Sequence, residues 1–216
     1  MATPRDRYDL FVFDLDGTLA DTREDIASSV SNAFCSLGLE PVPIDVVTRH
    51  VGDGARKLLA RCLGEPASEE MVDRALAAFL DNYRVECTRR TRLYPGVLEA
   101  LEALQPTPLA VLTNKPHFHS TKILEALKVA RFFGAVIGGD SLPRKKPDPA
   151  GLEWILERFG CARERAVLVG DSKVDMETAR AAGTASAFVT YGFQPDAGRD
   201  HPPDHVLGSL LDLVRS

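Results

Sequence analysis

The chain is poor in the features that mark secreted, thiolate-metal and membrane proteins. Its four cysteines (Cys35, Cys62, Cys87, Cys161) are scattered, and no two have C-x-x-C spacing. That argues against a zinc site or a disulfide framework and for thiols in a reducing compartment. No apolar run approaches the roughly 20 residues of a membrane helix. Met1 to Tyr8 is polar, without the apolar core of a secretory leader, so a cytoplasmic location and no membrane partner are expected. There is no internal repeat or low-complexity tract. Basic residues are outnumbered, 26 Lys and Arg against 31 Asp and Glu, for a net charge of −5, so no nucleic-acid partner is expected. With 44% hydrophobic and 26% charged residues over 216 positions, the composition suits a globular domain with a sizeable core, with or without a small insertion.

The stretch from Tyr8 to Thr22, YDLFVFDLDGTLADT, organises the rest. Leu10-Phe11-Val12-Phe13 reads as a strand buried on both faces of a parallel sheet. It ends in Asp14, Asp16 and Gly17-Thr18. A carboxylate at the end of such a strand sits at the sheet's carboxyl edge, where open α/β sheets bind ligands. In extended chain, residues two apart share a face, so Asp14 and Asp16 can look into one pocket. Two carboxylates so close repel unless a cation or shared proton relieves them, which points to a metal-assisted acid/base or nucleophilic pair. The bland alternative is a solvated acidic turn.

Downstream, Thr22-Arg23-Glu24-Asp25 reads as a capping-box helix start, and Gly38 as its stop. A short helical piece near Val46-Val47 follows. The loop Val51-Gly52-Asp53-Gly54 leads into a helix through Leu58, Leu59 and Leu63, and Ser68 caps a longer helix through Tyr83. Nothing from Thr22 to about Arg90 reads as a strand. Strands then recur at 109–112, 135–137, 166–169 and 187–189, with helices between them, an edge strand at His205-Val206 and a short closing helix. Alternating strands and helices mean right-handed βαβ units. The expected fold is α/β, a doubly wound parallel sheet formed by residues 1–20 and 91–216, with an all-helical cap at 21–90. Trp154, Phe159 and Leu152 are expected in a helix core.

Three strands end in residues suited to phosphate chemistry: Asp14 and Asp16, Thr113-Asn114, and Asp171. A lysine loop, Arg144-Lys145-Lys146-Pro147-Asp148-Pro149, joins them. Hard oxygen ligands with few His or Cys nearby favour Mg²⁺ over zinc. His117 and His119 fall on different sides of a helix start, a poor zinc geometry.

Asp14-Leu15-Asp16-Gly17-Thr18 resembles the first motif (DxDGT) of the haloacid dehalogenase-like superfamily of phosphohydrolases. Thr113 resembles its second motif, Lys146 with Pro147-Asp148-Pro149 its third, and Gly170-Asp171-Ser172-Lys173-Val174-Asp175 its fourth (GDSxxD). The order matches along nearly the whole chain, and the segment after the first motif resembles the superfamily's C1-type cap. The resemblance implies Asp14 as nucleophile forming an aspartyl-phosphate and Asp16 as general acid and then base. It implies Thr113 and Lys146 holding the transferring oxygens. Mg²⁺ would be held by Asp14, the backbone carbonyl of Asp16 and Asp171, with Asp175 as a further ligand or as a partner to the ligands. Asp16 favours an oxygen leaving group over halide, hence a phosphatase or phosphomutase.

Thr113-Asn114-Lys115-Pro116 and the 51–54 loop resemble the phosphoglycolate phosphatase group, which more often has Asn where Asp53 stands. The implied substrate is a small phosphorylated metabolite, first of all 2-phosphoglycolate. Asn114 and a second cation, Lys115 or Arg56, join Thr113 and Lys146 as expected substrate contacts. The alternatives are pyrophosphate or a sugar phosphate as substrate, a β-phosphoglucomutase-like phosphomutase, and a non-enzymatic binding member. A monomer or homodimer is expected.

Overall fold

The computed structural model describes residues 3–215. A short helix α1 (Pro4–Arg7) precedes β1 (Leu10–Phe13), which leads into β2 (Ala20–Asp21). Four helices follow: α2 (Arg23–Ser36), α3 (Ile44–Arg49), α4 (Ala55–Leu63) and α5 (Glu69–Glu86). The chain returns through β3 (Arg92–Leu93), antiparallel to β2, and α6 (Val97–Leu104). Next come β4 (Leu109–Leu112), α7 (His117–Ala126), β5 (Ala135–Ile137), α8 (Ala150–Phe159) and β6 (Ala166–Gly170). The last elements are α9 (Lys173–Ala182), β7 (Ala185–Val189), α10 (Ala197–Asp200) and β8 (His205–Leu207).

The six-stranded sheet has the order β5-β4-β1-β6-β7-β8, with every neighbouring pair parallel. β1 is central, between β4 and β6. The connections run one way from β1 through β4 to β5, then cross to β6 and run the other way. The crevice at the carboxyl ends of β4, β1 and β6 is therefore the switch point where such sheets bind ligands.

All four residues of β1 are buried, and alternation sends them to different layers. Phe11 and Phe13 pack with Leu101 of α6 and Ile123 of α7, in a core that continues into the inserted helices through Ile26, Leu58 and Phe79. Leu10 and Val12 pack on the opposite face with Leu152 and Ile155 of α8 and Ala179 of α9. Each fully buried Phe or Leu of this kind contributes about 1.5–3 kcal/mol through removal of its surface from water.

Three expectations are corrected, and α1, β2 and β3 are additions to the expected elements. Thr22 makes no side-chain cap on α2, and Asp25 does not close a box with it. Buried Asp25 instead accepts from the backbone N–H groups of Arg90 and Thr91 at 3.0 and 2.9 Å, and from the Thr91 hydroxyl at 2.8 Å. A tertiary partner for a buried carboxylate has displaced the local one. The β2–β3 ribbon and α1 carry too few residues to show a period. The closing helix is one 3₁₀ turn, Leu210–Leu213. Trp154 is not core: it is 39% exposed, while Leu152 and Ile155 of the same helix are fully buried.

Asp25 ties α2 to the segment that returns from α5. Asp25→Asn should therefore lower unfolding free energy by about 2 kcal/mol, because an amide presents donors to donors. Urea denaturation measures this, and an unchanged midpoint would show that the stitch is unimportant.

Candidate active site

Asp14 follows β1 directly, its backbone N–H donating to the Val169 carbonyl at 2.9 Å, and its side chain is buried. Leu15 turns into the core, and Gly17 takes φ +80°, a conformation that side chains resist. A Cβ at Gly17 would also collide with the Asp171 carboxylate. The glycine of the DxDGT run is thus required twice, by its dihedral and by the acid packed against it.

Asp171 ends β6. Its carboxylate accepts from the Thr18 hydroxyl at 3.2 Å and from the Phe193 N–H at 2.6 Å. Asp175 lies in the first turn of α9 and closes a capping box with Ser172, whose hydroxyl donates to Asp175 Oδ2 at 2.6 Å. Lys146, from the loop between β5 and α8, brings Nζ to 2.5 Å from Asp175 Oδ1 and 2.9 Å from Asp14 Oδ1. The second is an ion-pair distance without hydrogen-bond alignment, so Asp14 Oδ1 is buried without a hydrogen-bond partner.

Burial pushes the Asp14 carboxyl up to about 6, with Asp175 and Asp16 adding to the rise and Lys146 opposing it. Asp171 is pushed well above the carboxylate range by burial and then by its acidic neighbours. Burial works against the Lys146 ammonium, but Asp14 and Asp175 outweigh it and hold its pKa above the ordinary value. One cation faces three buried acids.

Asp14, Asp171 and Asp175 each offer an oxygen, and these atoms lie within 4.8 Å of one another. Such a cluster with an orphaned buried oxygen fits a hard divalent cation with oxygen ligands. The Asp16 carboxylate is not part of it. It accepts from the Thr22 hydroxyl at 2.6 Å and lies 3.1 Å from Lys115 Nζ.

Lys115 is buried, and its ammonium also donates to the Tyr83 hydroxyl of α5 at 2.6 Å. Asn114, expected to contact substrate, donates both amide hydrogens to backbone carbonyls, those of Gly52 and Lys146, each at 2.9 Å. Its structural work is to orient the lysine loop and hold the inserted loop. Arg56 is a correction: its guanidinium is taken by Asp73 and Glu69, and it does not line the cavity. The Asp53 carboxylate pairs with Arg61 at 2.6 Å. A cavity of about 50 Å³ lies among Asp14, Asp16, Thr113, Lys115 and His119, with Leu58, Phe79 and Tyr83 of the inserted helices opposite.

The loop before α4 is gripped by three side chains from three different loops of the sheet edge. Gln194, Asn114 and Lys145 donate to the successive carbonyls of Val51, Gly52 and Asp53 at 3.0, 2.9 and 2.8 Å.

Sequence reasoning missed Thr18, Thr22, Tyr83 and His119. Thr18 stood within the first motif, but Tyr83 read as an ordinary core position of α5. His119 was dismissed once zinc was set aside.

A doubly wound sheet with paired aspartates after its central strand, two further acids after β6 and a lysine between them forms the scaffold of a phosphoryl-transfer site. The chain belongs to the haloacid dehalogenase-like hydrolase family, whose model matches residues 11–189. It is 38% identical over 215 residues to phosphoglycolate phosphatase 1 of Pseudomonas aeruginosa, covering 95% of this chain and 78% of that one. It is 38% identical over 217 residues to the phosphoglycolate phosphatase of Neisseria meningitidis, covering 94% and 91%. Among solved structures, a predicted phosphoglycolate phosphatase from Haemophilus somnus superposes with a TM-score of 0.90 at 32% identity, covering 96% and 97%.

Without metal, the folded chain keeps the Asp14 proton up to about pH 6, whereas its ordinary value is 3.8. Stability therefore falls as pH rises through that window. In EDTA, Asp14→Asn should be more stable than the parent at pH 7–8, by on the order of 2 kcal/mol. The gain should vanish near pH 4. Chemical denaturation across pH checks this; equal stabilities at pH 8 would contradict the burial argument.

Proposed function

We propose that this protein is a Mg²⁺-dependent phosphomonoesterase that hydrolyses 2-phosphoglycolate to glycolate and phosphate through an aspartyl-phosphate. The observation that carries the substrate is buried Lys115, a second cation beside Asp16 and apart from the lysine that meets Asp14. A substrate with a phosphate at one end and a carboxylate at the other calls for two such cations. The family model supports hydrolase chemistry, and the names of the relatives support the substrate.

In this reading an Asp14 carboxylate oxygen attacks phosphorus. The P–O bond to the glycolate oxygen breaks as the Asp16 carboxyl gives that oxygen its proton. Asp16 then takes a proton from the water that attacks the aspartyl-phosphate, releasing phosphate and restoring Asp14. Thr22 and Lys115 hold the Asp16 side chain on the leaving-group side. Thr113 and Lys146 steady the phosphoryl oxygens. Asp14, Asp171, Asp175 and the backbone carbonyl of Asp16 would hold Mg²⁺, which neutralises phosphate charge and relieves the repulsion between the acids. Residues 21–90 act as a cap over the core of 1–20 and 91–216, excluding water during the first transfer. No helix among the described residues is long and apolar enough to cross a membrane. The free cysteines support a reducing, cytoplasmic setting, with a small phosphorylated metabolite as the partner.

Phosphate release should be measured with and without Mg²⁺ on 2-phosphoglycolate, pyrophosphate, hexose phosphates and nucleotides. The expected kcat/KM for 2-phosphoglycolate exceeds the others at least roughly tenfold, about 1.4 kcal/mol of transition-state discrimination. Asp14→Asn should remove turnover, and Lys115→Ala should remove the preference. Flat release across the panel would keep the chemistry and reject the substrate.

Gln194→Ala and Lys145→Ala each free one carbonyl of the 51–53 loop. Both should raise KM severalfold with the metal requirement unchanged. Unaltered kinetics in the double variant would show that the grip does not govern closure.

A further inference from the structure

His119 is 6% exposed, yet neither ring nitrogen has a hydrogen-bond partner. Buried polar atoms are seldom left this way, because a donor or acceptor stripped of water and given no partner is costly. The imidazole borders the same cavity as Asp14, Asp16 and Lys115. It lies against Tyr83, ring centroids 5.2 Å apart, and the Lys115 ammonium lies 4.4 Å from the centroid of that same ring. His119 and Lys115, four residues apart at the start of α7, thus share one wall of the cavity, facing the inserted helices.

Burial, then the positive charges of Lys115 and Lys122, push the His119 pKa down to about 4, with Asp140 opposing and Arg84 adding slightly. The ring is neutral at physiological pH and carries one N–H donor and one bare nitrogen. An anion reaching this wall would meet an ammonium and an unused N–H together.

We infer that His119 is a specificity-determining residue, its ring N–H donating to the carboxylate of an acidic phosphomonoester whose charge Lys115 balances. The inference rests on the reading of the site as a phosphatase for a small acidic substrate. It adds a neutral donor that selects the acid end by direction as well as charge.

The test compares 2-phosphoglycolate with ethyl phosphate, which has the same ester and no carboxylate. His119→Phe keeps an aromatic ring against Tyr83 and removes both nitrogens. Its kcat/KM for 2-phosphoglycolate should fall at least tenfold, mainly through KM, while that for ethyl phosphate stays within twofold. His119→Gln, which returns an N–H donor, should recover part of the loss. His119→Leu reads the same ratio if the phenylalanine variant does not fold. A wild-type ratio between the two substrates in the nitrogen-free variants would overturn the inference and leave His119 as packing for Tyr83 and Phe118. A parent enzyme with no preference for 2-phosphoglycolate over ethyl phosphate would overturn the substrate reading and this inference together. A parent with the preference and a His119→Phe variant that keeps it would overturn the inference alone.

Discussion

Three carboxylates are buried within a few ångströms of one another at the end of the central strands, and Lys146 is the cation that meets two of them. Burial and mutual repulsion raise both Asp14 and Asp171 above the ordinary carboxylate value. The surroundings answer that strain. Thr18 and the Phe193 N–H donate to Asp171, Ser172 donates to Asp175, and glycines at 17 and 192 let backbone approach where a Cβ would collide. A site that is costly without a cation and well organised for one has its stability and its chemistry linked through the same charge.

The inserted helices complete the site instead of merely covering it. Tyr83 reaches the Lys115 ammonium, Phe79 and Leu58 close the apolar side, and three core side chains hold consecutive carbonyls of the 51–53 loop. Hydrogen bonds to backbone carbonyls do not depend on the side chains of the loop. The grip is therefore indifferent to Asp53, whose carboxylate is engaged with Arg61 on its own side.

Much of the molecule was legible beforehand. Strands β1, β5 and β6 are short apolar runs bounded by Gly or charge, and burial within a parallel sheet makes such runs continuous. The acids and Lys146 were legible because each stands at a strand end or in a loop the topology carries to one edge. Legibility failed where a local rule met a tertiary competitor. Thr22 is a sound helix cap by type, but its hydroxyl goes to Asp16, and Asp25 goes to Arg90 and Thr91. Trp154 suited a core by composition and lies half in water. Arg56 had the right charge for a substrate contact, yet two acids on α5 lay within its reach.

The sequence by itself determined the order of the sheet strands and of the longer helices, the parallel sheet and the set of acids and lysine at its edge. These follow from periodicity and chain order, which are properties of neighbours along the chain. Only the tertiary structure decided which lysine meets which acid, and that Tyr83 and His119, some 36 residues apart, share a wall with Lys115. Those pairings depend on helix α5 folding back over the strand ends. Contacts between distant segments leave no period in the chain, so they are settled by packing and by the need of each buried charge for a partner.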